Sequence, residues 1–407
     1  MTSHVLLAGG GIGGLAAAVA LSRARQPLTL IEQADAFGEV GAGLQLGPNA
    51  VRLLTDWGLR AAIDEVAAWP ELLSVRDARH GQTLGQLRLD RFAPRYRAPY
   101  ACLHRADLHA LLLRAAQREG LDLRLASRLE SIEAGLARVQ VQWSGGGAMD
   151  AAALIGCDGL WSRVRAQVAD PAPPRPTGHV AYRGLLPAAA LPPAMRALRV
   201  GVWLGTRLHV VHYPVRGGEA FNLVAVVHAG ADGPRDARSW SEPATRAALR
   251  SALGPVHGDL SAWLDAVPAW TRWVLHDRPP LAGPQDMARG RVALLGDAAH
   301  PMRPYLAQGA AMAIEDAWAL GRLAETSAGP GGPDWPAVLA RYADVRWARN
   351  ARVQRRSRRN GTVFHASGPL RWARNAAMAL SGERLLDNGW LYDGPGDPVP
   401  GPGSRSR

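Results

Sequence analysis

Lysine is missing from this chain altogether. All 47 basic residues among the 407 are arginine, which excludes a lysine Schiff base and the lysine of a phosphate-binding P-loop. Cysteine is nearly as scarce. Cys102 and Cys157 are too few for a disulfide framework or a cysteine zinc site, and no metal site is expected. Cys157, in an apolar strand-like stretch, reads as a small buried hydrophobe. No apolar run is long enough to span a bilayer, and the chain opens on a strand with no signal peptide. A soluble, cytoplasmic protein without a membrane partner is expected. Net charge is +12. Beside so much Ala, Gly and Pro, the all-arginine excess reads as compositional bias ahead of polyanion binding. Length gives two or three domains, and 47% hydrophobic residues can bury a large core.

What is present is concentrated at the two ends of the first three hundred residues. Val5-Leu-Leu-Ala8 is a buried-type strand, and Gly9, Gly11 and Gly14 supply a G-x-G-x-x-G turn. The Ala-rich stretch from Leu15 to Ser22 reads as a helix, and Leu28–Ile31 as a second strand ending at Glu32. This is the dinucleotide fingerprint in its full context: the glycines let backbone approach a pyrophosphate at the helix start, and the acid binds ribose hydroxyls. Glu32 disfavours a 2′-phosphate at that ribose, which suits FAD or NAD over NADP.

A second motif, Gly296-Asp-Ala-Ala-His-Pro-Met-Arg-Pro-Tyr-Leu-Ala-Gln-Gly-Ala310, follows the short strand Arg291–Leu295 and runs into a helical stretch, Ala310 to Leu323. Asp297 is placed to accept hydrogen bonds from a ribityl hydroxyl. Gly309 and Ala310 leave room for a flat ring at the helix N-terminus, whose half-positive charge favours an anionic reduced flavin. His300 is read as shaping this loop. A third motif, Asp158-Gly159-Leu-Trp-Ser162-Arg-Val-Arg165, ends the strand Ala152–Cys157. Taken alone it is equally a turn and a helix cap.

Together the three motifs resemble the class A flavoprotein monooxygenases, the single-component FAD-dependent aromatic hydroxylases, over nearly the whole chain. Gly41–Asn49, Leu103–Leu108, Ala181–Gly184 and Trp390–Asp393 are similar to the salicylate hydroxylase-like and 3-hydroxybenzoate 6-hydroxylase-like branch. The resemblance implies an α/β fold: a discontinuous Rossmann-like FAD-binding domain from 1–70, 100–172 and 275–325, interleaved with a smaller mixed β-sheet substrate domain from 71–99 and 173–274. A C-terminal helical region, 326–393, and a disordered tail, 394–407, follow. It implies FAD as cofactor and NADH or NADPH as co-substrate, which has no second fingerprint here. Dioxygen and a small phenolic or aromatic-acid substrate are the other reactants, hydroxylation proceeding through a flavin hydroperoxide. Monomer and homodimer both stay open. So do a natural-product tailoring oxidation, epoxidation or ring opening on the same scaffold, and a non-catalytic flavoprotein that binds without turnover.

Residue roles follow. Cofactor contacts are expected at Gly9, Gly11, Gly14, Glu32, Asp297, Gly309 and Ala310, and the resemblance adds Arg105 and Asp158, whose stretch is similar to the family's DG motif. Hydroxylation needs a base for the substrate phenol. On Leu208–Pro214 the period-2 pattern puts His209, Val211 and Tyr213 on one face and His212 on the other. The spacing of His209 and Tyr213 is similar to that of the branch's pocket residues, which makes this pair the catalytic candidates. Pro304 corresponds to a proline beside the substrate, and Arg183 and Arg303 are candidates for a substrate carboxylate. The Arg-rich stretch 341–359 is read as an amphipathic helix that buries Tyr342, Val345 and Ala348, with no nucleic-acid partner.

Overall fold

Residues 4–37, 43–228, 242–327, 329 and 332–399 are described by a computed structural model. Two sheets carry the architecture. The first has six strands, in the order Ala288–Arg289, Val292–Leu294, Ala153–Gly156, Val5–Ala8, Leu28–Ile31, Asp122–Arg124. All neighbours are parallel except the 288–294 hairpin. The central strands are buried along their whole length, as a parallel sheet covered on both faces requires. That is why Val5–Ala8, Leu28–Ile31 and Ala153–Gly156 read as almost wholly apolar, with Thr29 the one polar side chain.

Helices Ile12–Arg23 and Gly309–Thr326 pack closely on one another. A Cβ at Gly321 would come within 2.9 Å of Ala20, so the approach itself selects glycine. The strand order puts Val5–Ala8 between Leu28–Ile31 and Ala153–Gly156. Chain segments therefore leave its carboxyl end in opposite directions, opening the crevice in which such folds hold ligands.

The second sheet is the larger in strand number. Its eight strands run Glu242–Ala244, Trp270–Asp277, Arg175–Pro187, Ala220–His228, Leu208–Val215, Arg199–Gly205, Leu72–Asp77, Thr83–Arg88. Only the pairing of Arg199–Gly205 with Leu72–Asp77 is parallel. The two-stranded ribbon of Gly43–Leu46 and Ala101–His104 links the sheets: a Cβ at Gly43 would sit 2.6 Å from the Tyr213 ring.

The C-terminal part is helical, Trp335–Phe364, Gly368–Leu386 and Gly389–Tyr392. The long helix differs from its expected pattern. Ala348 is exposed and Val345 half-buried, while Arg346, Asn350, Gln354 and Ser357 are buried beside Tyr342. Its inner face is polar because it packs against charged groups. Of the tail expected to be disordered, Val399 packs against the apolar core around the first sheet and Asp397 lies 3.8 Å from Arg322; residues 400–407 lie outside the described residues, as do Gly41 and Ala42.

Candidate active site

The main cleft, roughly 360 Å³, opens between the two sheets, a size usual for small-molecule sites. One wall is backbone. A Cβ at Gly9, whose φ is +107°, would meet the Cys157 carbonyl at 2.5 Å, and one at Gly14 would lie 1.9 Å from the Gly9 carbonyl. These two glycines shape the protein. Gly11 is different: a Cβ there would meet nothing within 4 Å among the described residues, so its freedom serves whatever enters the cleft. The helix that follows has no acid in its first turn and no side-chain cap, leaving its N–H groups for an anion. Glu32 accepts from Gly10 N at 2.7 Å and Ala34 N at 2.9 Å, which fixes its carboxylate at the end of the second strand.

Opposite, the helix Gly309–Thr326 also points an uncapped N-terminus with no acid in its first turn into the cleft. Among the described residues, a Cβ on Gly309 would have only Asp297 within 4 Å, at 3.9 Å. Asp297 lies at the cleft floor, where burial raises its pKa, an effect opposed by the charges of His300 and Arg105; in the open cleft water still reaches the carboxylate. Arg105 starts the helix Arg105–Arg118 and also lines the cleft. Two helix termini, open space at Gly11 and Gly309, and a carboxylate between them fit a long cofactor bearing a pyrophosphate, a polyol and a flat ring. Ala310 joins the same wall.

Asp158 stands apart from this set. Its carboxylate takes Ser162 Oγ at 2.5 Å, Arg163 N at 2.7 Å and Val164 N at 3.1 Å. It folds the loop, the cap role its sequence context equally allowed, while Cys157 and Gly159 face the cleft. Cys157 follows the strand; partly buried, it packs against the core of the first sheet and also lines the cleft.

The cofactor wall stands on an ionic cluster that sequence reasoning missed. Glu315 and Asp316, one turn and a half into the helix, are wholly buried. Arg346 pairs with both, at 2.9 Å and 2.8 Å, and Arg349 reaches Glu315 at 2.7 Å. His300 meets Asp316 at 2.5 Å. Burial alone would raise both carboxyl pKa values, yet the surrounding cations hold them below the usual range. Asn49 donates to Glu315 at 2.8 Å and to Gln308 at 3.1 Å. Arg349 also donates to the carbonyls of Trp390 and Leu391. Two motifs without an assigned role, ending at Asn49 and Asp393, are therefore braces behind the helix. The long helix continues the clamp, with Gln354 donating to Pro301 O and Ser357 to Arg303 O.

The facing wall is made of side chains. His209, Val211 and Tyr213 line the cleft, while His212 points away and stacks on Trp263 at 4.0 Å. His209 is buried, and its Nδ1 shares a hydrogen bond of 2.8 Å with Nε2 of His365. Burial, with the nearby His179, pushes its pKa down to about 3, so the imidazole is neutral. Burial pushes the Tyr213 phenol far above its usual range, so it keeps its proton beside Asn222 and Gln45. Arg183 lies 4.9 Å over the Trp273 ring. Arg303 donates to Asp277 at 2.5 Å, so it is neither a lone anion-binding cation nor a solvated one. Pro304 and Met302 close the cleft beside it. Asp158 turns its carboxylate into its own loop, Glu32 gives its own to backbone N–H groups, and Arg303 is paired with Asp277. His365 had no signal in the sequence beyond being a histidine.

Residues 2–357 match the family described as "FAD binding domain". The 3-hydroxybenzoate 6-hydroxylase of Polaromonas naphthalenivorans is 37% identical over 394 residues, covering 95% of each chain. Klebsiella pneumoniae HpxO, solved with FAD and uric acid, superposes with a TM-score of 0.82 at 25% identity, covering 94% of both chains. A salicylate hydroxylase substrate complex gives a TM-score of 0.80 at 27% identity, covering 96% of this chain and 95% of that one.

Proposed function

The chain belongs to the FAD-binding family of single-component aromatic hydroxylases, and from that premise we propose that it hydroxylates a small aromatic acid bearing a ring hydroxyl, with His209 as the proton acceptor. It is a flavoprotein monooxygenase that uses NAD(P)H. When bound and reduced, FAD activates dioxygen and supplies one electrophilic oxygen atom to the ring. The chain's own residues must hold that cofactor, exclude water and ready the substrate.

Gly11 and Gly309 give the cofactor its space, the two helix termini favour its negative charge, and Asp297 offers a ribityl acceptor. Val211, Met302, Trp273 and Pro304 form an apolar lining beside the substrate, which protects the reactive oxygen from water. The observation that carries the reading is the His209–His365 pair on the cleft wall. With Nδ1 taken by His365, Nε2 is the nitrogen left for the cleft, and a neutral imidazole there can accept the phenol's proton. Its depressed pKa makes it a weak base alone; a phenolate formed beside it offsets the cost of burying the imidazolium. Tyr213, which stays protonated, donates to the substrate oxygen. Arg183 and Arg303 attract the carboxylate, as the hydroxybenzoate-acting relative suggests, though Asp277 moderates Arg303. We also place the enzyme in the cytoplasm, where NAD(P)H is available, as a monomer or homodimer; no helix among the described residues could cross a membrane.

The test is a panel of hydroxybenzoates, hydroxynicotinates, other phenols and purines offered to the FAD-loaded protein. One or more aromatic acids should stimulate NAD(P)H oxidation with matching hydroxylated product. Indifference to the whole panel would refute the substrate class.

A further inference from the structure

Behind His209, away from the cleft, three imidazoles gather. His179 and His228 are direct cross-strand partners on Arg175–Pro187 and Ala220–His228, with ring centroids 4.4 Å apart. His365, the residue that ends the long helix, brings its ring to 4.9 Å from His179 and 5.9 Å from His228. One ring nitrogen from each of the three lies within 4.8 Å of the other two. We propose that His179, His228 and His365 form a site for a divalent transition ion of the zinc class, and that this site shares His365 with His209.

The donor set fits such an ion. Three neutral imidazoles with no carboxylate suit Zn²⁺, Co²⁺, Ni²⁺ or Cu²⁺ and not Ca²⁺ or Mg²⁺. Nδ1 of His179 lies 3.1 Å from the Thr177 carbonyl, an acceptor only, so that nitrogen carries the proton. Nε2 then presents its lone pair, oriented by the kind of backbone hydrogen bond that commonly holds a histidine ligand. His365 has a buried Nδ1 with no hydrogen-bond partner among the described residues, a polar atom that an ion would satisfy. His228 is exposed and provides the entry. Zn–N bonds of about 2.0–2.1 Å place nitrogens roughly 3.4 Å apart in tetrahedral geometry, so nitrogens now within 4.8 Å of one another need to close by at most about 1.4 Å, and solvent takes the fourth position.

The shared histidine gives the site a consequence, which rests on the functional reading above. An ion on Nε2 of His365 breaks its hydrogen bond to His209. An ion on Nδ1 forces Nε2 to carry the proton and donate to Nδ1 of His209. His209 then holds its own proton on the cleft-side nitrogen, where it can no longer accept one. The first case removes the acceptor that keeps the His209 proton on Nδ1, and the second withdraws the base outright.

Untagged, FAD-loaded enzyme should be titrated with Zn²⁺ by calorimetry, and bound metal counted after dialysis. One Zn²⁺ per chain is expected, with affinity about tenfold or more weaker in His228→Ala, whose exposed position keeps the fold intact, and in His179→Gln. Saturating Zn²⁺ should suppress product formation in the native enzyme and spare His228→Ala. No binding at micromolar Zn²⁺, or equal binding in His228→Ala, overturns the site; full activity at saturation overturns the sharing of His365. A protein that binds Zn²⁺ here yet hydroxylates no aromatic compound sinks the functional reading alone and leaves the metal site standing.

Discussion

The two walls of the cleft are built by opposite means. The cofactor wall is backbone and glycine, braced from behind by a buried ionic cluster around Glu315, Asp316 and Arg346. The facing wall, which we propose meets the substrate, is a sheet whose side chains, His209, Tyr213 and Arg183, line the cleft directly. A backbone wall tolerates few changes, because Gly9 and Gly14 already touch neighbouring carbonyls. A side-chain wall can change its chemistry without moving a strand, which is how one scaffold serves many aromatic substrates.

The difference is sharpest when each wall is damaged separately. His209→Ala should bind FAD and oxidise NAD(P)H as before while losing product by about 10²–10⁴-fold, the usual worth of a general base; coupled hydroxylation at the normal rate would remove His209 from the mechanism. Arg346→Met should strike the other wall. Leaving two buried carboxylates without their shared cation costs about 3–5 kcal/mol, read as a lower urea midpoint, and an unchanged midpoint would show that the cluster contributes no net stability. Gly309→Val changes neither framework, since only Asp297 lies near the added Cβ. It should fold with native stability yet bind FAD at least about tenfold more weakly, a loss of roughly 1.4 kcal/mol. Native FAD affinity in this variant would mean that the ring lies elsewhere.

Acid should separate the walls more gently. His212, buried against Trp263, has its pKa pushed down to about 3 by burial and by Arg76. The unfolded histidine titrates near 6.5, so below that value the unfolded state binds the extra proton and stability falls with pH. Asp316 is a depressed carboxyl, so its contribution is whole above about pH 4 and is lost only as pH falls further. Urea midpoints should therefore begin to drop near pH 6.5, with His212→Phe softening that first decline and Asp316→Asn affecting only the decline below about pH 4. The reverse assignment would contradict these electrostatics.

Legibility in the sequence followed the same division. Strands Val5–Ala8 and Leu28–Ile31 and the turn between them could be read directly, because backbone geometry leaves a glycine signature with fixed spacing. The facing of His209 and Tyr213 away from His212 followed from strand periodicity. Long-range polar partners left no such trace. Arg346 and Arg349 looked like one side of a solvated helix, and nothing in their spacing revealed Glu315 and Asp316, some thirty residues earlier, as partners. Asn49 and Trp390–Asp393 stood out as motifs without a role until Glu315 and Arg349 connected them. Asp158 was ambiguous for a physical reason: the same Asp-Gly-x-x-Ser serves a cofactor loop and a cap, and here the carboxylate caps.

The account depends above all on oxygen passing from a cofactor on one wall to a ring on the other. The direct measurement is turnover under isotopically labelled dioxygen, with the best aromatic acid from the panel and product mass compared with NAD(P)H consumed. One labelled oxygen per product and per NAD(P)H is the expected result. Unlabelled product whose new oxygen comes from water would contradict the account.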